Sequence, residues 1–159
     1  MKSNNFKKAI LTMGIPGAGK SHVLSKNYDL SEYTVIDPDA IKQEKKDYSD
    51  ENPAVYHEWS KKVARFRTEK AIFKGENLAI DGTGTNVEKM VRQIKDLQSQ
   101  GYTVELLYVK VNLATSIKRN QERTRHVSVE VIMEKFETIS VAFEILAGVA
   151  NSATVINND

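Results

Sequence analysis

Short apolar runs alternate along the chain with stretches in which apolar residues recur every three or four positions. Ala9-Ile10-Leu11-Thr12-Met13, stopped by Gly14, reads as a strand buried on both faces, because continuous apolar character belongs to strands sandwiched between helices. Tyr33-Thr34-Val35-Ile36 is β-branched and aromatic, ends at Asp37-Pro38-Asp39, and predicts a second strand. Leu78-Ala79-Ile80 predicts a third, Thr103 to Val111 a fourth and Ala153-Thr154-Val155-Ile156 a fifth. Helical patterns lie between them. A helix is expected from Lys20 to about Lys26, and a short one from Ala40 to Lys46. Asn52-Pro53 has the form of an N-cap followed by a first-turn proline. Val55, Trp59, Val63 and Phe66 then share one helix face, and that helix runs to Phe73 before Gly75. Val87, Val91, Ile94 and Leu97 form the next stripe, with Thr85 and Glu88 at capping-box spacing and Gly101 as the stop. Leu113 to about Gln121 is helical, and Ile132, Phe136, Ile139, Phe143 and Leu146 mark a long amphipathic helix. Asn157 and Asn158 follow the last strand, as a frayed tail or as the border of a base pocket.

Strands alternating with helices predict an α/β fold: a parallel sheet flanked by helices, joined by right-handed crossovers. With 159 residues and no repeat, linker or low-complexity segment, the expectation is one domain over residues 1–159. The 23 Lys and Arg against 21 Asp and Glu leave a net charge of +2, too little to coat nucleic acid, so any basic site must be local. The absence of cysteine excludes disulfides, thiolate zinc sites and cysteine nucleophiles. No apolar run approaches the ~20 residues of a membrane span. The basic start, Met1 to Lys8, is followed by an apolar run too short for a signal peptide. The expectation is a cytoplasmic protein with no membrane partner, and no segment is marked out for oligomerisation.

Gly14-Ile15-Pro16-Gly17-Ala18-Gly19-Lys20-Ser21 fits G-x-x-x-x-G-K-[ST], the P-loop pattern. By average composition it arises by chance in about 0.6% of chains this long, and here it also stands between a predicted strand and a predicted helix. Glycines let the backbone wrap a dense anion without Cβ clashes, and the next helix turns its N-terminal N–H groups and positive dipole end toward it. Lys20 is expected on the β/γ oxygens of a nucleoside triphosphate, and the Ser21 hydroxyl on Mg²⁺. Gly14, Pro16, Gly17, Ala18, Gly19 and His22 complete the expected ATP contact set.

Ligands of open α/β sheets sit outside the carboxyl ends of the strands. Asp37, Asp39 and Asp81 leave such ends, which puts them at the rim of the cradle. A kinase needs a carboxylate there to position and deprotonate the acceptor hydroxyl. Asp39 reads either as that group or as a helix N-cap before Ala40, and Asp37 as a rim carboxylate or a turn residue before Pro38. Asp81 ends an apolar strand, as Walker-B-type acids do, and is expected on Mg²⁺ or substrate; its other reading is an Asp-Gly turn. Thr83 is a candidate acceptor contact. Lys118, Arg119, Arg123 and Arg125 make a basic stretch before the long helix, read as an Arg-rich lid, with Arg119 and Arg123 on one helix face if that turn is helical. Trp59 is expected in the core, and His57 is either a surface residue or part of an acceptor cleft.

Ile36-Asp37-Pro38-Asp39-Ala40-Ile41-Lys42 and Ile80-Asp81-Gly82-Thr83-Gly84 resemble P-loop kinases of the zeta-toxin and polynucleotide-kinase group. The resemblance runs from the cradle to the final strand. It implies a P-loop NTPase fold with five parallel strands in the order 2-3-1-4-5. It implies Asp39, the second acid of I-D-x-D, as catalytic base, with Asp37, Lys42 and Arg125 on the acceptor side. Arg119 and Arg123, with Asn120, fit the R-N-x-x-R spacing of polynucleotide-kinase lids, and Thr68-Glu69-Lys70-Ala71-Ile72 resembles a substrate-side segment of zeta toxins. The activity so implied is ATP-dependent transfer of a γ-phosphate to a hydroxyl, first of a polynucleotide 5′ end. Alternative acceptors are a nucleotide sugar and a hydroxymethylated base. From another class, a nucleotide-binding ATPase module that answers to a protein partner fits the same cradle.

Overall fold

The computed structural model describes residues 7–44, 53–82, 84–123 and 127–159. Its elements in chain order are β1 (Lys7–Met13), α1 (Lys20–Asn27), a single 3-10 turn (Leu30–Glu32), β2 (Thr34–Ile36), α2 (Pro38–Gln43) and α3 (Pro53–Lys74). There follow β3 (Leu78–Ile80), α4 (Val87–Ser99), β4 (Tyr102–Lys110), α5 (Leu113–Gln121), α6 (Val129–Ala147) and β5 (Ser152–Asn157). The strands form one parallel sheet in the order β2-β3-β1-β4-β5, as the resemblance implied. Central β1 is flanked by β3 and β4, with Ile10 opposite Ala79 on one side and Glu105 on the other. The core follows from this placement: Ala9, Ile10, Leu11, Met13, Leu78, Ala79, Val104, Leu106, Leu107 and Val109 are buried in the sheet, and Ile94, Leu97, Ile132, Ile139 and Leu146 bring α4 and α6 onto it. Edge strand β5 is largely exposed. Among the described residues no helix is long and apolar enough to cross a membrane.

Several local expectations are corrected. Helix α2 starts at Pro38, and its N-cap is Asp37, whose carboxylate accepts from the N–H groups of Asp39 and Ala40. Proline is suited to that first helical position because its missing N–H has no partner to lose. Asp39 therefore lies inside the first turn and is not the cap. Helix α4 is capped by Asn86, which accepts from Lys89 N at 3.2 Å, not by Thr85. The α3 stripe is rotated: Ser60 and Ala71 are the buried positions, Trp59 is half-buried, and Phe66 and Phe73 are 65% and 92% exposed. Small side chains face inward because α3 lies against α2 and β2. Phe136 is also exposed, and Ala142 takes a core place on α6. The tail after β5 is not frayed: Asn158 N donates to Lys110 O at 2.8 Å, and Asn112 N donates to an Asp159 carboxylate oxygen at 2.6 Å.

Candidate active site

The glycine-rich segment leaves β1 at the carboxyl edge of the sheet and enters α1. Gly17 and Gly19 have φ of 81° and 85°, the left-handed region that favours glycine. A Cβ at Gly14 would lie 2.8 Å from Val109 O, and one at Gly17 2.9 Å from Ser116 O, so the loop has no room for side chains there. Gly19 supplies no capping side chain to α1, which leaves the first N–H groups of that helix to a ligand. Lys20 Nζ donates to Gly14 O at 3.2 Å across the loop. Burial holds its ammonium below the ordinary lysine value of 10.5; the carboxylates of Asp81 and Asp39 act the other way, and the cations Lys135 and Arg123 add to the fall. The two carboxylates weigh more on Lys20 than the two cations do. Ser21 and His22 sit exposed on the first turn of α1.

The acidic rim is built from β2, α2 and the end of β3. Asp81 N donates to Ile36 O at 2.9 Å, extending the β2–β3 pairing by one residue and fixing where the Asp81 side chain leaves. Thr12, fully buried in β1, donates its hydroxyl to an Asp81 carboxylate oxygen at 2.6 Å and accepts from Gly82 N at 3.2 Å. A buried hydroxyl without such partners costs about 1–3 kcal/mol; here both its donor and its acceptor are used. Burial and the Asp81 charge push the Asp37 carboxyl above its ordinary 3.8. Asp39 is exposed, one oxygen 3.7 Å from the ammonium of buried Lys42. His57, exposed on α3, faces the same group: burial, then Lys42 and Lys61, hold its imidazole below 6.5, while Glu58 and Asp39 oppose them.

The basic stretch divides in two. The Arg123 charge is felt at Lys20, whereas Arg119 binds the loop carbonyls, its Nη1 3.3 Å from Gly17 O and 3.5 Å from Ala18 O. Buried Asn120 brackets the segment between α5 and α6: its amide donates to Val127 O at 2.6 Å and its carbonyl accepts from Val127 N at 2.9 Å. Thr83 and Arg125 lie outside the described residues. Lys118 and Glu69 are exposed.

The Zeta toxin family profile matches residues 1–159. The chain belongs to the zeta-toxin family. No curated protein sequence gives a significant match. Among solved structures, a chain of the PezAT chromosomal toxin–antitoxin system of Streptococcus pneumoniae is similar over 93% of this chain and 88% of its own, with a TM-score of 0.58 and 17% identity. A chain of the AvrRxo1-ORF1:-ORF2 structure with ATP is similar over 95% of this chain and 54% of its own, with a TM-score of 0.76 and 14% identity. A chain of the Pnkp1/Rnl/Hen1 RNA repair complex covers 91% of this chain and 48% of its own at a TM-score of 0.66 and 17% identity. At these identities the similarities establish the P-loop kinase-like fold.

For a zeta-toxin family member, the donors at the cradle fit magnesium better than a caged metal. Among the described residues no three His, Cys, Asp or Glu side chains group to hold an ion. What is present is the Ser21 hydroxyl and the Asp81 carboxylate, hard oxygen ligands of the kind that suffice for an ion which keeps waters and substrate phosphates in its shell. Reasoning from sequence missed Thr12, Ser116 and Lys135. A lone hydroxyl within an apolar strand is a usable signal for Thr12, and a small polar residue one turn inside α5 for Ser116. Lys135 is one of many charges on α6 and carries no such mark.

Proposed function

We propose that the chain is an ATP-dependent kinase that phosphorylates a hydroxyl of a nucleotide-type acceptor. The observation that carries this reading is the geometry of the glycine-rich loop, with Gly17 and Gly19 in the left-handed region, no capping side chain on α1 and Lys20 bound across the loop to Gly14 O. Gly14, Pro16, Gly17, Ala18 and Gly19 wrap the triphosphate, and Lys20 holds its β/γ oxygens. Ser21 and Asp81 would hold magnesium, which would supply positive charge to neutralise the phosphates. Asp39 takes the proton as the acceptor oxygen bonds to the γ-phosphorus, and the β–γ bridging oxygen leaves with ADP. Arg123 and Lys135 stabilise the spread charge of the transferring group, and Asp37 and Lys42 are assigned to the acceptor side. Arg119 grips the cradle from outside.

Family membership along the whole chain supports a nucleotide sugar as acceptor. A polynucleotide 5′-hydroxyl is the second reading, supported by the R-N-x-x-R spacing of Arg119, Asn120 and Arg123 and by the likeness to the RNA repair complex chain. Incubation with γ-labelled ATP, Mg²⁺ and separate pools of nucleotide sugars, 5′-hydroxyl oligonucleotides and hydroxymethylated DNA distinguishes them. Label is expected in the nucleotide-sugar pool, and Asp39→Asn is expected to lower transfer by about 10²–10⁴-fold, the usual yield of a general base. Undiminished transfer by that variant removes Asp39 from its role. ATP turnover that responds only to a protein partner replaces the kinase by an ATPase module.

A further inference from the structure

Besides Arg119, which reaches Gly17 O at 3.3 Å and Ala18 O at a longer 3.5 Å, two side chains distant in sequence hold the outer face of the glycine-rich loop. Ser116 Oγ donates to Pro16 O at 2.5 Å, and Asn158 Nδ2 donates to Ala18 O at 2.8 Å. A planar trans peptide points its N–H opposite to its carbonyl. With the Pro16 and Ala18 carbonyls turned outward, the N–H groups of Gly17 and Gly19 are turned inward. Among the described residues neither of those N–H groups has a backbone acceptor, while Ala18 N is occupied by Ile15 O at 3.1 Å.

Both clamps are themselves anchored. Ser116 is fully buried one turn into α5, behind the N-cap Asn112, which accepts from Thr115 N at 2.8 Å. Asn158 is fixed by its own N–H on Lys110 O, and the next residue, Asp159, accepts from Asn112 N. The β4–α5 junction thus ties both clamps to one rigid corner. A Cβ at Gly19 would lie 2.5 Å from Asn158 Nδ2, and one at Gly17 2.9 Å from Ser116 O, so these glycines make room for the clamp as well as for an anion.

We propose that Ser116 and Asn158 are positioning residues for the phosphate cradle, which hold the Pro16 and Ala18 carbonyls outward so that the Gly17 and Gly19 N–H groups face the anion before it arrives. The inference rests on the reading of Gly14–Ser21 as a phosphate cradle and extends it to residues outside the motif. A loop whose N–H groups are fixed in advance loses no ordering free energy on binding, so the clamps act on affinity for the phosphates and not on recognition of a base.

The test uses inorganic tripolyphosphate, which has no base, beside ATP, each with Mg²⁺, by calorimetry on the full chain. Ser116→Ala and Asn158→Ala are expected to weaken both ligands about fivefold each, the yield of one net hydrogen bond, and Ser116→Thr to stay within about twofold of the parent by keeping the hydroxyl. Weaker ATP binding with unchanged tripolyphosphate binding makes Asn158 a base contact and overturns the proposal. Unchanged binding of both ligands by Ser116→Ala and Asn158→Ala overturns it as well, while leaving the cradle intact. A parent protein that binds neither ligand overturns the cradle reading and the clamp with it. Should the buried Ser116→Ala variant fail to melt cooperatively, Asn158→Ala, a change near the end of β5, carries the test alone.

Discussion

Thr12 shows how much one hydroxyl can fix. It is the only polar side chain in the apolar run Ala9 to Met13 and lies fully buried between its Asp81 and Gly82 partners. Thr12→Val keeps the shape and removes both bonds, leaving a carboxylate oxygen and an N–H without that partner. The expected cost is about 1–3 kcal/mol in denaturant unfolding, with Thr12→Ser close to the parent. Turnover in the proposed transfer reaction should follow the same order, because Thr12 holds the Asp81 carboxylate in place. A Thr12→Val protein as stable and as active as the parent contradicts this account. The P-loop glycines, Lys20 and the acids at strand ends were legible because their chemistry is tied to short spacing. Thr12 and Asp81 are partners across 69 residues, and only strand order brings such pairs together.

At the scale of elements, α2 joins a structural role to an electrostatic cost. Asp37 caps it, yet burial and the neighbouring Asp81 raise the Asp37 carboxyl above 3.8. A group whose folded value lies above its unfolded value contributes stability below the unfolded value and loses it as pH rises through the folded one. Wild-type Asp37 is therefore charged at a cost at neutral pH. Asp37→Asn keeps a good cap without the charge, so it should melt above the parent at pH 7, with the difference shrinking as pH falls through the carboxylate range. Asp37→Ala, which loses the cap, should fall about 1 kcal/mol below Asp37→Asn. A melting series from pH 3 to 7 checks both signs. Helix boundaries such as Leu113 to Gln121 and the β3 run Leu78-Ala79-Ile80 were readable from periodicity and length. Which face of α3 turns inward was not. Periodicity finds the large apolar residues, whereas close approach to α2 and β2 selects Ser60 and Ala71 and leaves Phe66 outside. Phe73→Lys should accordingly change stability by no more than about 0.5 kcal/mol, and a larger loss in chemical denaturation would restore Phe73 to the core.

Across the whole molecule, strand order 2-3-1-4-5 sets β1 in the middle and draws functional groups from β1, β2, β3, α1 and α6 to one edge. Around Lys20 there, the carboxylates of Asp81 and Asp39 outweigh the repulsion from Lys135 and Arg123, and burial is what lowers its ammonium. Folding thus desolvates a lysine at the cradle, and an anion there would favour its charged form. A ligand that binds only the folded state stabilises it by about 2.7 kcal/mol at a hundredfold excess over its Kd, which for a chain of this size is a rise of roughly 5–10 °C in Tm. Magnesium-ATP and tripolyphosphate should both give it. Lys135→Met keeps the length of the side chain and removes one cation near Lys20, so its rise with tripolyphosphate should be smaller than the parent's. A purely structural lysine gives a different pattern, a lower Tm without ligand and an undiminished rise with it. Measuring four melting curves, parent and variant with and without tripolyphosphate at low ionic strength, separates the two, and raising the salt should shrink the parent's rise because screening weakens the attraction of exposed cations for the anion.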